Sequence, residues 1–197
     1  MEIVSATFRD LESGRTGEFI VSRNLPEPAE HPEAKPRRKQ VAVLFADIVE
    51  STELVARLGD ENWAALLSSY YRLVRRELSE FHGWYLSAAG DGFLAAFDEC
   101  IHAIRCSAAI RAQVSTLGLR VRIGVHAGEC LALGTFLTGL TLHVGARIAA
   151  AAGAGEMLVS HCVRAHINDP EIQFVDRGTQ RLKGVPGEWR LFANCQA

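Results

Sequence analysis

The stretch VAVLFADIVEST, residues 41–52, constrains the fold more than any other part of the chain. Val41, Val43, Leu44 and Phe45 begin an apolar run that reads as a buried strand, and Ser51 or Thr52 can cap a helix directly after it. Inside the run stands one carboxylate, Asp47. Burying a carboxylate is costly unless it is paired or bound to a metal. Either Asp47 marks where a core strand reaches the surface, or it is held there for a cation. The second reading needs a partner elsewhere in the chain.

Length and composition suit one domain of ordinary size: 197 residues, 48% hydrophobic and 22% charged. With a formal net charge of −2, the chain lacks the basic footprint of a general nucleic-acid binder. Its five cysteines, an odd number without metal-ligand spacing, fit reduced thiols and a cytoplasmic setting. Cys100 and Cys106 fall in an apolar helical segment and read as core. Neither a signal peptide nor a membrane span is expected.

Residues 1–25 read as a short leading segment with a strand pair around ESGRTGE. Residues 26–40 hold four of the six prolines and read as a linker whose basic end, KPRRK, is either solvated or a contact for phosphate or membrane headgroups. The compact domain is expected over residues 41–193. A short helix should run to Leu58 and stop at Gly59, with Asp60 capping the next. Trp63, Leu66, Leu67, Tyr70, Leu73, Val74, Leu78 and Phe81 then mark one face of a long amphipathic helix. GWYLSAAGDGFLAAFD predicts a hairpin turning at Gly-Asp-Gly. Further helices are expected over 99–115 and 140–152, a strand over 119–127, and three short strands toward the end. Helices alternating with strands, with an early hairpin, fit a helix-covered α/β sheet of ferredoxin-like type.

Asp91, at the hairpin tip between Gly90 and Gly92, is the candidate partner for Asp47. If the first strand lies beside the hairpin, the two carboxylates converge at one end of the sheet and repel unless a cation separates them. Mg²⁺ or Mn²⁺ suits such oxygen ligands together with substrate phosphates. The start of the following helix, with the N–H groups of Val49, Glu50, Ser51 and Thr52, can receive phosphate oxygens. The alternative is that Asp91 is only a turn residue.

LFADIVEST, AAGDGFLAAFD, RIGVHAGE and HVGARIAAAAGAGEMLVS, followed by DRGTQRLKGVPGEWRLF, resemble the catalytic domain of class III nucleotidyl cyclases, adenylate cyclases of actinobacterial type in particular. The likeness spans roughly residues 40–193. It implies the ferredoxin-like class III cyclase fold, a mainly antiparallel sheet with covering helices. It also implies conversion of ATP to 3′,5′-cyclic AMP and pyrophosphate, a reaction of signal transduction. Two Mg²⁺ or Mn²⁺ ions would be held by Asp47, Asp91 and the carbonyl of Ile48. Arg147 matches the arginine that steadies the α-phosphate, and His143 the residue that orients the ribose. The family pattern implies a homodimer whose composite sites take the aspartates from one chain and Arg147 and His143 from the other. The uncharged residues 130–142 and the aromatics of GWYL would be covered by the partner.

Two positions depart from the pattern. Ser87 stands where a base-reading lysine is usual, and Phe136 where the second base-reading residue falls. Losing two polar contacts weakens discrimination between bases. The chain is then a slow or relaxed cyclase, a cyclase that reads its base differently, or an inactive relative that binds nucleotide or acts as a regulatory, dimerising partner.

Overall fold

The computed structural model describes the backbone of residues 4–9 and 16–21, and residues 36–133 and 136–195 in full. Strands β1 (Val4–Arg9) and β2 (Thr16–Val21) form an antiparallel pair, as the leading segment's pattern suggests. The ESGRTGE turn and most of the proline-rich segment lie outside the described residues.

Strand β3 (Arg37–Ile48) begins four residues ahead of Val41 and takes in the basic end of the expected linker. Two of those residues make protein contacts. Arg38 pairs with Glu129, and Lys39 pairs with Asp98 at 2.9 Å while lying over the Trp84 ring. Helices α1 (Ser51–Leu58) and α2 (Asp60–Glu80) follow, with Gly59 serving as the C-cap of the first and the N-cap of the second. That double duty displaces Asp60 from the expected cap. Gly59 has φ 74°, a left-handed conformation that glycine adopts without Cβ strain.

The hairpin is formed by β4 (Trp84–Ala89) and β5 (Gly92–Phe97). Next come α3 (Cys100–Ser115), β6 (Val121–Leu133), β7 (Phe136–Thr138) and α4 (Leu140–Ala151). The chain closes with β8 (Met157–Ser160), the five-residue α5 (His161–Ala165), β9 (Phe174–Gln180) and β10 (Trp189–Asn194). Strand β6 runs six residues beyond the expected end at 127 and folds back on β7, so the uncharged stretch is partly a hairpin. The main sheet has the order β4-β5-β3-β6-β8-β10-β9, with β7 added on β6. All its pairings are antiparallel except β6 with β8.

Alternation along β3 explains its apolar run. Ala42, Leu44, Ala46 and Ile48 join the large core beneath α2 and α3, whereas Val41, Val43 and Phe45 meet the α4 side. The strand is therefore covered on both faces. Helix α4 sits close to the sheet because a glycine stands on each side of the contact: a Cβ on Gly124 of β6 would come within 2.1 Å of the Ala149 nitrogen, and one on Gly145 of α4 within 2.8 Å of Val43. Cys106 is buried and Cys100 partly so, and all five cysteines are free thiols. Among the described residues no helix is long and apolar enough to cross a membrane.

Candidate active site

Asp47 lies one residue before the end of β3, on the face shared with Val43 and Phe45, and is partly buried. The β4–β5 turn brings Asp91 to it. Gly90 takes φ 61°, and Gly92 packs so closely that a Cβ there would sit 3.1 Å from the Ala46 carbonyl and 3.6 Å from Asp47 Oδ1. The two glycines thus do different work: one turns the chain, the other lets the turn approach β3. Tyr71, on α2, directs its hydroxyl at the carbonyls of Gly90 (2.8 Å) and Gly92 (3.0 Å) and fixes the turn from beneath.

The two carboxylates are balanced unequally. Asp47 Oδ2 accepts from Arg122, its register partner on β6, through Nε at 3.0 Å and through Nη2. Asp91 Oδ2 is buried and has no hydrogen-bond partner among the described residues. Burial, with a smaller push from the Asp47 charge, raises the Asp91 carboxyl above the usual range, and a hydrogen bond with Ser51 opposes this in part. An orphaned carboxylate oxygen beside a second carboxylate is the electrostatic condition that a hard cation relieves. Among the described residues no three His, Cys, Asp or Glu side chains converge on one point. The protein's own share of an ion's shell would therefore be Asp47, Asp91 and a backbone carbonyl such as that of Ile48. Water and phosphate oxygens would supply the remainder.

A cavity of about 270 Å³ opens on the α4 face, bounded by Asp47, Arg122, Ser87 and Leu94 and by Ala146, Ala149 and Ala150 of α4. Ser87 thus lies on the same cavity as the first aspartate, and its side chain is exposed. Phe136 is elsewhere, opposite Leu133 on the β6–β7 hairpin, and is 62% exposed. His143 and Arg147 are exposed one turn apart on α4, where the buried positions are Thr141, Val144, Gly145, Ile148 and Ala149. The lining that α4 gives to the cavity is alanine, so within one chain Arg147 is not part of it.

The start of α1 is partly committed. Val49 donates its N–H to the Arg120 carbonyl at 2.9 Å, which removes it from the expected phosphate donors. Glu50 is the N-cap residue, held at φ 59° without a side-chain cap, and its carboxylate pairs with Arg120 at 2.9 Å. Ser51, Thr52 and Glu53 keep first-turn N–H groups that have no partner within the helix. Of the GWYL aromatics only Trp84 faces the α4 side. Tyr85 turns toward α2, stacks on Phe93, and lies under the Arg75 guanidinium at 4.3 Å. Adjacent strand residues face opposite sides, which explains this; Leu86 then takes up a register shift between Tyr85 and Ser87.

Sequence reading missed Arg122, the Ser51 bond to Asp91, and Tyr71. The pattern R-V-R in LRVRIGVHAGE contains only part of the signal for the first: arginines two apart share one strand face, and the register sets Arg122, not Arg120, opposite Asp47.

The model of the adenylate and guanylate cyclase catalytic domain matches residues 33–193. An uncharacterized Mycobacterium tuberculosis protein is 28% identical over 156 residues, covering 76% of this chain and 54% of that protein. The chain spans about half or less of the length of the curated relatives it matches. Among solved structures, the adenylyl cyclase CyaB from P. aeruginosa has a TM-score of 0.77 at 23% identity, over 83% of this chain and 97% of that one. The guanylate cyclase domain of RhGC from Catenaria anguillulae, in complex with GTP, has a TM-score of 0.74 at 19% identity, over 81% and 98%. These likenesses establish the fold, a largely antiparallel α/β sheet covered by helices. With the family model matched over most of its length, the chain belongs to the adenylate and guanylate cyclase catalytic domain family.

Proposed function

We propose that this chain is a divalent-metal-dependent nucleotidyl cyclase that works as a head-to-tail homodimer, with ATP the default substrate and cyclic AMP and pyrophosphate the products. The observation that carries the reading is the meeting of Asp47 with an Asp91 whose buried Oδ2 lacks a partner among the described residues. Mg²⁺ or Mn²⁺ held there, two ions in the full site, would lower the pKa of the ribose 3′-hydroxyl and neutralise the leaving phosphates.

The chain's own groups do the rest by position. Asp47 and Asp91 fix the negative charge at the end of β3, and Arg122 holds the Asp47 carboxylate in place. The free N–H groups of Ser51 and Thr52 point toward incoming phosphate oxygens. Arg147 suits the charge that grows on the α-phosphate, and His143, one turn away, suits the ribose. Both are exposed and neither lines the cavity beside its own Asp47, which favours their use in a partner's site. Leu133 (39% exposed), Phe136 and Leu140 (51%) supply an uncharged surface for that partner.

Ser87 and Phe136 supply one hydroxyl and one ring for base recognition. That set favours a second reading, a chain with weak or no turnover that binds nucleotide and serves as a dimerising partner. One assay separates them: purified protein with Mn²⁺ and each of ATP, GTP, CTP and UTP, measuring cyclic product and pyrophosphate. Cyclic AMP formation abolished by Asp91→Asn supports the cyclase. Nucleotide binding without product from any of the four refutes it in favour of the second reading. Mixing Asp47→Ala with Arg147→Ala chains tests shared sites, since one of the two composite sites regains a full set only if the residues act across the dimer.

A further inference from the structure

A second and larger cavity, about 1060 Å³, lies on the other face of the β4–β5 hairpin, between α1, α2 and β4. We propose that it binds an amphipathic organic anion, an apolar body carrying a carboxylate or sulfonate, and that occupation is felt at the Asp91 turn. The binding half stands on the cavity alone. The coupling half rests on the reading of Asp47 and Asp91 as metal ligands.

Size and lining fix the ligand class. Small-molecule sites enclose roughly 300–1,000 Å³, mostly apolar with a few placed polar groups. Here Trp63, Leu67 and Tyr85 form the apolar wall, and Arg72 and Arg75 stand exposed at its edge. Among the described residues neither arginine pairs with a carboxylate. Arg72 reaches only Ser69 Oγ at 3.5 Å, and Arg75 lies over the Tyr85 ring. Two such guanidinium groups beside an aromatic wall select an anion with a hydrophobic body. A cation would meet these two guanidinium groups unfavourably, and Asp91, the one carboxylate on the lining, belongs with Ser51, Thr52 and Gly90 to the part of it shared with the candidate metal and phosphate site.

The route to Asp91 is short. Tyr71 contributes to the wall and its hydroxyl holds Gly90 and Gly92, the residues flanking Asp91. A body seated against Tyr71 changes the packing of the side chain that positions the turn.

Decanoate is the probe, with decanol as its neutral counterpart. Binding is followed by quenching of Trp63 fluorescence, using Trp63→Phe to subtract Trp84 and Trp189. The expected result is saturable quenching by decanoate, at least tenfold weaker for decanol. Arg75→Ala and Leu67→Glu should each weaken binding tenfold or more, with Arg75→Lys recovering most of the loss. If Leu67→Glu unfolds the domain, the exposed Arg75 pair still decides. Quenching unchanged in Arg75→Ala, or equal for decanol, overturns the site as an anion site. Coupling is read from Mn²⁺ affinity by titration calorimetry with and without saturating decanoate: a threefold or larger change supports it, and an unchanged affinity overturns it. If Mn²⁺ never binds, the metal reading fails, while the decanoate titration still judges the cavity.

Discussion

His126 makes the stability of this domain depend on pH, and the structure gives both the sign and the size. The side chain is 4% exposed on β6, its Nδ1 lies 2.8 Å from Ser160 Oγ, and its ring meets Trp189 edge-on at 5.3 Å. Ser160 Oγ also accepts the Val163 N–H at the start of α5, which leaves the hydroxyl proton for Nδ1 and suits a neutral imidazole. Burial pushes the His126 pKa down to about 4. The unfolded chain, with an ordinary imidazole near 6.5, binds the proton first, so stability is present above that value and is lost as pH falls toward 4. Linkage between these two values gives a loss of about 2 kcal/mol between pH 7 and pH 5, and about 3 kcal/mol in the limit. For a domain of this size that is a fall in Tm of roughly 4–8 °C between pH 7 and pH 5. Urea unfolding at pH 7, 6 and 5 measures it, with His126→Asn as reference, because asparagine keeps an acceptor for Ser160 and does not titrate. Asp91, raised in the fold, shifts stability the opposite way but does so in both proteins and cancels in the comparison. The same pH dependence in wild type and variant would show that His126 is not the group that titrates on unfolding.

Three further outcomes are expected. Gly124→Ala should destabilise by about 3 kcal/mol or more, since its Cβ would overlap the Ala149 backbone and push α4 off β6; thermal unfolding checks this, and a melting temperature within a degree of wild type contradicts the packing. Tyr70→Phe should be neutral or stabilising by up to about 1 kcal/mol, because the buried Tyr70 hydroxyl has no hydrogen-bond partner among the described residues; a loss above 1 kcal/mol in urea would reveal a partner. Arg122→Ala should cost about 1–3 kcal/mol by leaving Asp47 beside Asp91 without its guanidinium, and Mn²⁺ should restore part of that loss; equal stability with and without Mn²⁺ would argue against a cation between the carboxylates.

Much of the fold was legible because the chain punctuates it. Helix α1 ends at Gly59 and the hairpin turns at Gly90, both at positive φ, where glycine is the residue expected. The run from Val41 to Ile48 announces a strand because both of its faces are covered. Local pattern failed where pairing decides the structure. The extension of β6 to Leu133 is held by β3 and by β7, and the uncharged sequence there carries no alternation to show it. Helix α5 is too short to display a period.

The same distinction governs the site. Asp47 is conspicuous in its own strand, and Asp91 in its own turn, so sequence names them both. Arg120 and Arg122 are indistinguishable by neighbourhood, yet register sends Arg122 to Asp47, while Arg120 reaches Glu50 at the head of α1. That division has a chemical consequence. One arginine neutralises a carboxylate at the end of β3; the other neutralises the carboxylate that stands where phosphate would approach α1. Glu50 holds a left-handed conformation to do so. A glycine would take that conformation without strain and would carry no charge against the phosphate. The Glu50–Arg120 pair is exposed and contributes little to stability. Its effect falls on the triphosphate instead: Glu50→Gly should tighten nucleotide binding without lowering the melting temperature. Weaker binding of ATP to that variant, measured by calorimetry with Mn²⁺ present, would mean that the Glu50–Arg120 pair organises the phosphate donors rather than opposing their ligand.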